Sequence, residues 1–253
     1  MATSLQRLIG FRNVAFRLVY DDRTYIREPG DRLETDLGVI DIPDDASSGD
    51  TLETHLGHQF VVRDLRLRDW FHHFDRSGAP MLPRDIGLIL GETGIGVGDR
   101  VADIGTGTGV LAAAMANAGA TVITYERDDD AAALAQENMI LAGVADTVEI
   151  RNVDGVAIVE DLAEPVDVLT LDSGDAPYFV AEATELIVPG GFLAAYSPFV
   201  ESAREVVEAA RTELTDVSCI ETIQRPLDID DRGTRPSTGP VGHTGYLTFA
   251  RVP

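Results

Sequence analysis

The run VADIGTGTGV at 101–110 sets an apolar stretch and an acid ahead of Gly105, Gly107 and Gly109, with a helical pattern beyond. Glycine adopts torsions closed to other residues and lets a ligand approach the backbone, so this turn suits a dinucleotide, a nucleoside or simply a tight bend. Seventeen residues beyond Gly109 the next β-like run ends in Tyr125 and Glu126. A carboxylate at that place can accept both hydroxyls of a ribose, which makes a nucleoside cofactor the expectation. A third run is followed by Asp154, which could accept a hydrogen bond from an exocyclic adenine amine or cap a turn. The run LTLD at 169–172 ends on Asp172, at the strand edge where open α/β sheets bind ligands. Asp175 is the competing carboxylate there, and Asp172 is preferred because it continues the strand directly.

Asp103, two residues ahead of Gly105, bears on the choice of cofactor. A dinucleotide rests its pyrophosphate on a helix N-terminus, and a neighbouring carboxylate would oppose it. The same carboxylate complements a ligand with an ammonium and a sulfonium. S-adenosylmethionine is therefore expected rather than NAD, and the acid with its GxGxG turn resembles motif I of the class I S-adenosylmethionine-dependent methyltransferases. No metal is expected. His72 and His73 are adjacent and diverge on a helix, His55 and His58 fall in a turn, and His243 reads as a structural hydrogen-bonding residue.

These residues need a scaffold, and the chain alternates to supply it. Strands at 100–105, 121–126, 147–152, 166–172 and 191–197 are separated by helices at 110–118, 128–141 and near 176–187, and a further helix carries Phe199 to Leu214. That order predicts an α/β fold with a mostly parallel sheet covered on both faces. The first 62 residues show β-like runs at 14–20, 24–27, 37–42 and 58–62 between turns, and helical periodicity follows through Leu65, Leu67, Trp70, Phe71 and Phe74. The expected organisation is a small β domain over 1–62, a helical linker over 63–82 and the main domain over 83–253. Near the end, VSCIETIQ and HTGYLTFARV read as two strands joined by a polar loop of about 18 residues, long enough to be functional.

The 253 residues, 44 % apolar, exclude a disordered or fibrous chain. Acids number 43 against 20 basic residues, a formal charge of −23, and every basic residue is Arg. A carboxylate-dense surface without Lys reads as adaptation to concentrated salt, where self-repulsion is screened, and a halophilic cytoplasm is expected. The uncharged stretch from Gly105 to Tyr125 holds four Gly and four Thr, so no membrane segment is expected. Cys219, the single cysteine, excludes a disulfide framework and is expected to fill the core.

Across nearly its whole length the chain resembles the tRNA (adenine-N1)-methyltransferases of the T-loop, in their archaeal and bacterial single-subunit form. The resemblance rests on LGVIDI (37–42), GDTLETHLGHQFVV (49–62), PRDIG (83–87), DIGTGTG (103–109), YER (125–127), LTLD (169–172), PGGFLAAYSP (189–198) and RGTRPSTGPVGHTGYLTFAR (232–251). It implies a seven-stranded Rossmann-like domain behind a small β domain, and a homotetramer. It carries cofactor binding onto Gly105, Thr106, Gly107, Thr108, Gly109, Glu126 and Asp154, beside Asp103, and places Asp172 both against the cofactor and as the catalytic residue. The reaction implied is methyl transfer to N1 of adenosine at tRNA position 58, with 57 as a second acceptor left open. Two departures from the family pattern stand out: SGDA separates Asp172 from Pro177, and Leu82 and Arg84 replace an aromatic residue and a Lys. Methyl transfer to a small molecule or protein, and a non-catalytic tRNA-binding subunit, are the alternative functions.

A polyanionic partner conflicts with a charge of −23 unless the charge is segregated. Residues 28–60 hold nine acids and one Arg, whereas 63–84 hold five Arg against three Asp. Arg grips phosphate bidentately and stacks on bases. Arg63, Arg66, Arg76, Arg84, Arg232 and Arg235 are accordingly expected to face tRNA.

Overall fold

A computed structural model of the chain describes residues 15–239 and 242–253. Val14, Arg7 and Arg12 lie outside the described residues, as do Pro240 and Val241 of the expected long loop. The chain opens with strands β1 (Phe16–Tyr20), β2 (Arg23–Arg27), β3 (Arg32–Thr35), β4 (Gly38–Asp41), β5 (Thr51–Glu53) and β6 (Gln59–Asp64). They form a four-stranded sheet in the order β2-β1-β6-β5 and a β3-β4 hairpin. Phe16, Leu18, Leu33, Ile40, Phe60 and Val62 close a core between them. Two of these strands, β3 and β5, go beyond the expected runs. In RLET only Leu33 is buried, and in TLE only Leu52 is partly so, which leaves too little alternation to read.

Helices α1 (Leu67–His73) and α2 (Pro83–Thr93) follow. The stretch expected as a linker thus contains α1, whose Trp70, with Phe74 just beyond its end, is buried in the same apolar cluster as Ile86 and Ile89 of α2. The main sheet is then laid down by β7 (Arg100–Ile104), α3 (Val110–Asn117), β8 (Thr121–Tyr125), α4 (Asp129–Ala142), β9 (Val148–Arg151), α5 (Ile158–Asp161), β10 (Val166–Leu171), α6 (Ala176–Ala181), α7 (Ala183–Leu186), β11 (Ile187–Ser197), α8 (Val200–Glu213) and β12 (Thr215–Ile220). Local chemistry sets the ends: Asp128 caps α4 by accepting from the Ala131 N–H, and Gly143 ends that helix in the left-handed region.

The seven strands run in the order β12-β15-β11-β10-β7-β8-β9, where β15 (Tyr246–Arg251) alone is antiparallel to its neighbours. Buried side chains cover both faces, with Met115, Val122 and Met139 on one side and Leu169, Phe179 and Leu193 on the other. Chain order reverses between β7 and β10, so the loops leaving those strands diverge and open a crevice above their carboxyl ends. Two features depart from expectation. The long polar loop contains a hairpin, β13 (Leu227–Asp230) with β14 (Gly233–Pro236), whose short LDID alternation is exposed and buries no side chain in the core. Cys219 is exposed instead of filling the core, because it faces outward on the edge strand β12. Among the described residues no helix is long and apolar enough to cross a membrane.

Candidate functional site

Asp103 sits one residue before the end of β7, with Thr124 of β8 and Thr170 of β10 as its register partners on either side. Three side chains in one row across three strands share a face. The Thr124 hydroxyl donates to Asp103 Oδ2 at 2.8 Å and the Thr170 hydroxyl donates to Oδ1 at 2.5 Å. Because the Thr124 hydrogen is committed to Asp103, the Thr106 hydroxyl donates to Thr124 Oγ1 at 2.6 Å, which fixes the next turn. Asp103 is 1 % exposed, and burial pushes its carboxyl up to about 6 against the lowering effect of the two threonines. Both partners donate, so the arrangement satisfies the ionised form.

The glycine turn rests on this row. Gly105 and Thr106 donate their N–H groups to the Tyr125 carbonyl, and Asp172 N–H donates to the Ile104 carbonyl at 2.8 Å. Gly105 has φ +96°, and a Cβ there would collide with the Asp172 carbonyl oxygen. Gly107 N–H donates to Glu126 Oε2 at 3.0 Å, while Asp128 N–H donates to Oε1 at 3.0 Å. Both carboxylate oxygens of Glu126 are thus oriented by backbone and keep lone pairs for the hydroxyls of a ribose.

Around these groups lies a cavity of about 310 Å³, lined by Gly105, Gly107, Glu126, Asp154, Asp172 and Phe179 among others. Four acids, Glu126, Asp154, Asp172 and Asp175, outweigh the one guanidinium on the lining, Arg127, and with the bare glycine backbone they fit a nucleoside that carries positive charge. A second cleft of about 300 Å³ is lined by Asp172, Ser173, Pro177, Tyr196, Pro198 and Phe199 among others. Asp172, Ser173 and Gly174 border both. Asp172 faces open space, yet the walls displace enough water to push its carboxyl up to about 6.

The expected site residues separate into distinct positions. Gly105, Gly107, Glu126, Asp154 and Asp172 line the first cavity. Asp154 also accepts from Val156 N–H at 3.1 Å, so it caps the short turn at Gly155–Ala157 while facing the cavity. Asp175 lines the cavity too, at the start of α6. Asp103 does not line the cavity; both its oxygens accept from the two threonines beneath the turn. Thr106, Thr108 and Gly109 do not line the cavity either; Thr106 and Thr108 are buried, and a Cβ on Gly109 would lie 2.5 Å from Met139 Cε.

Arg84 is also corrected, since its side chain is 7 % exposed and turns inward to Asp85 and Thr244. The buried Asp85 carboxylate holds it there. Arg63, Arg66, Arg76, Arg232 and Arg235 are exposed, with Arg76 lying over the Phe71 ring and Arg232 paired to Asp230. Sequence reasoning gave no role to Tyr196 or Thr244, although both lie in the quoted motifs. Among the described residues no cluster could hold a metal ion.

Residues 70–233 match the sequence model of a family described as the tRNA methyltransferase complex GCD14 subunit. The tRNA (adenine(57)-N(1)/adenine(58)-N(1))-methyltransferase TrmI of Methanocaldococcus jannaschii is 33 % identical, over 94 % of this chain and 95 % of its own length. The tRNA (adenine(58)-N(1))-methyltransferase TrmI of Thermus thermophilus is 28 % identical over 82 % of each chain. Among solved structures, an S-adenosylmethionine-dependent O-methyltransferase of Thermotoga maritima superposes with TM-score 0.78 at 25 % identity, covering 96 % of this chain and 94 % of that one. The tRNA (m1A58) methyltransferase TrmI of Aquifex aeolicus shares the fold, with TM-score 0.74 at 20 % identity over 96 % of this chain and 98 % of that one.

The close approach at Gly105 yields a stability test. Gly105→Ala combines a left-handed torsion with a backbone collision, and should lower the unfolding free energy by about 3 kcal/mol in urea titrations. An unchanged midpoint would show that the turn is not held against Asp172.

Proposed function

The chain belongs to the family of the tRNA methyltransferase complex GCD14 subunit, and from that premise we propose that it transfers a methyl group from S-adenosylmethionine to N1 of adenosine in the tRNA T-loop. Position 58 is the acceptor, and 57 is the second candidate. The observation that carries this reading is the meeting of two clefts at Asp172, one fitting a cationic nucleoside and the other open to a base. Bound S-adenosylmethionine supplies an electrophilic methyl group. Glu126 would hold its ribose and Asp154 would accept from its adenine amine, with Gly105 and Gly107 leaving room for the ligand.

Adenine N1 is a weak nucleophile, so positioning supplies most of the acceleration. Asp172 accepts from the N6 amine of the acceptor, aims the N1 lone pair and stabilises the positive charge that develops on the ring. The acceptor base is extruded from the folded T-loop to enter the second cleft. Exposed Arg63, Arg66, Arg76, Arg232 and Arg235 are assigned to the tRNA backbone. We also assign a halophilic cytoplasm, supported by the charge of −23 without Lys, and a homotetramer. Exposed Ile223, Leu227 and Ile229 near the β13-β14 hairpin offer apolar surface for a partner subunit.

Incubation with S-adenosylmethionine and unmodified tRNA in molar salt should give 1-methyladenosine in the T-loop, and Asp172→Ala should slow single-turnover transfer about 100-fold or more. Methyl groups elsewhere, or none, contradict the reading. The ionised carboxylate is the active form, and its raised pKa keeps it protonated below about 6. The single-turnover rate should therefore climb as pH rises through about 6 and level off above it, and this limb should vanish in Asp172→Asn. A limb retained in that variant would assign the titration to another group.

A further inference from the structure

A buried polar cluster lies behind the second cleft and belongs to neither cavity lining. Asp85, in the first turn of α2, is 2 % exposed. Its Oδ2 accepts from the Thr244 hydroxyl at 2.8 Å, and Arg84 Nη2 donates to the same hydroxyl at 3.2 Å. Arg84 Nε lies 3.8 Å from Asp85 Oδ1. Thr244 therefore accepts from a cation with one face of its hydroxyl and donates to an anion with the other. Its backbone carbonyl accepts from the Tyr196 hydroxyl. The next residue, Gly245, packs closely against that ring, where an added Cβ would come 2.5 Å from two ring carbons. Tyr196 stands on the wall of the second cleft with Asp172.

Burying a carboxylate in this way is costly, and apolar side chains of similar size would hold α2 against the sheet at least as well. Burial raises the Asp85 pKa, opposed by the Thr244 hydrogen bond and by Arg84. The cluster spans α2, the segment before β15 and the end of β11, and it converges on one wall of one cleft. We propose that Asp85 and Thr244 form a positioning relay for the acceptor base, in which Asp85 orients the Thr244 hydroxyl and the Thr244 carbonyl fixes Tyr196 beside Asp172. The inference rests on the second cleft being the acceptor site. It assigns PRD at 83–85 and HTG at 243–245 to one device, and gives Arg84 an internal task in place of a phosphate contact.

The test compares Thr244→Val with Thr244→Ser, using S-adenosylmethionine binding by calorimetry and methyl transfer to tRNA. Thr244→Val keeps shape and loses the hydroxyl. It should bind the cofactor within about twofold of wild type while kcat on tRNA falls about 100-fold, the scale of a misplaced reacting group. Thr244→Ser keeps the hydroxyl and should recover most of the rate. Equal kcat in Thr244→Val and wild type overturns the relay while leaving the acceptor reading intact. A wild-type protein inert on tRNA overturns both. Should Thr244→Val lose the cofactor as well, Asp85→Asn is measured in the same way. Loss of cofactor binding in that variant too would show that the cluster holds the fold and not the base, overturning the proposal.

Discussion

Three neighbouring strand ends are held in one row by the Asp103 carboxylate, and the glycine turn, the cavity floor and the position of Asp172 all build on that row. Thr124 and Thr170 reach Asp103 from the two adjacent strands, and Thr106 is drawn down onto Thr124. Asp172 follows β10 two residues after Thr170 and donates its N–H to Ile104 at the end of β7. A buried carboxylate is tolerated here because hydroxyl donors meet both its oxygens. The turn above it can then be made of glycine, since its shape is imposed from below.

Charge is unevenly spread over the molecule. Carboxylates gather at the cavity, where Glu126, Asp154 and Asp172 suit a cationic nucleoside. The exposed guanidinium groups of Arg63, Arg66, Arg76, Arg232 and Arg235 lie elsewhere. In molar salt the Debye length is about 3 Å, so long-range attraction to a polyanion is screened and so is repulsion from the acidic surface. Recognition under those conditions leans on short contacts and shape, for which Arg, with its planar fork, is better suited than Lys.

Much of the fold was legible because parallel strands buried on both faces read as apolar runs: VDVLTL of β10 is one, and the helices between such runs follow from their period. Strands β3 and β5 and the β13-β14 hairpin were hidden, since they bury one side chain or none fully. Gly105, Gly107, Glu126, Asp154 and Asp172, singled out by residue type and spacing, line one cavity. Asp103 lies outside that lining. Spacing placed it beside the ligand, and only the register across three strands shows that threonines on either side absorb its charge. Arg84 and Thr244 are 160 positions apart in the chain, so nothing local could reveal that they meet. The exposure of Cys219 depended likewise on β12 being an edge strand, a matter of topology.

What occupies the cleft above β7, and how it lies, decides the role of every residue around it. Crystals grown with S-adenosylhomocysteine measure this most directly. Both ribose hydroxyls should rest on Glu126, the adenine should lie by Asp154, and the sulfur should point to the shared border with the second cleft at Asp172. A ligand whose ribose avoids Glu126, or whose sulfur faces away from Asp172, would contradict the assignment of both clefts.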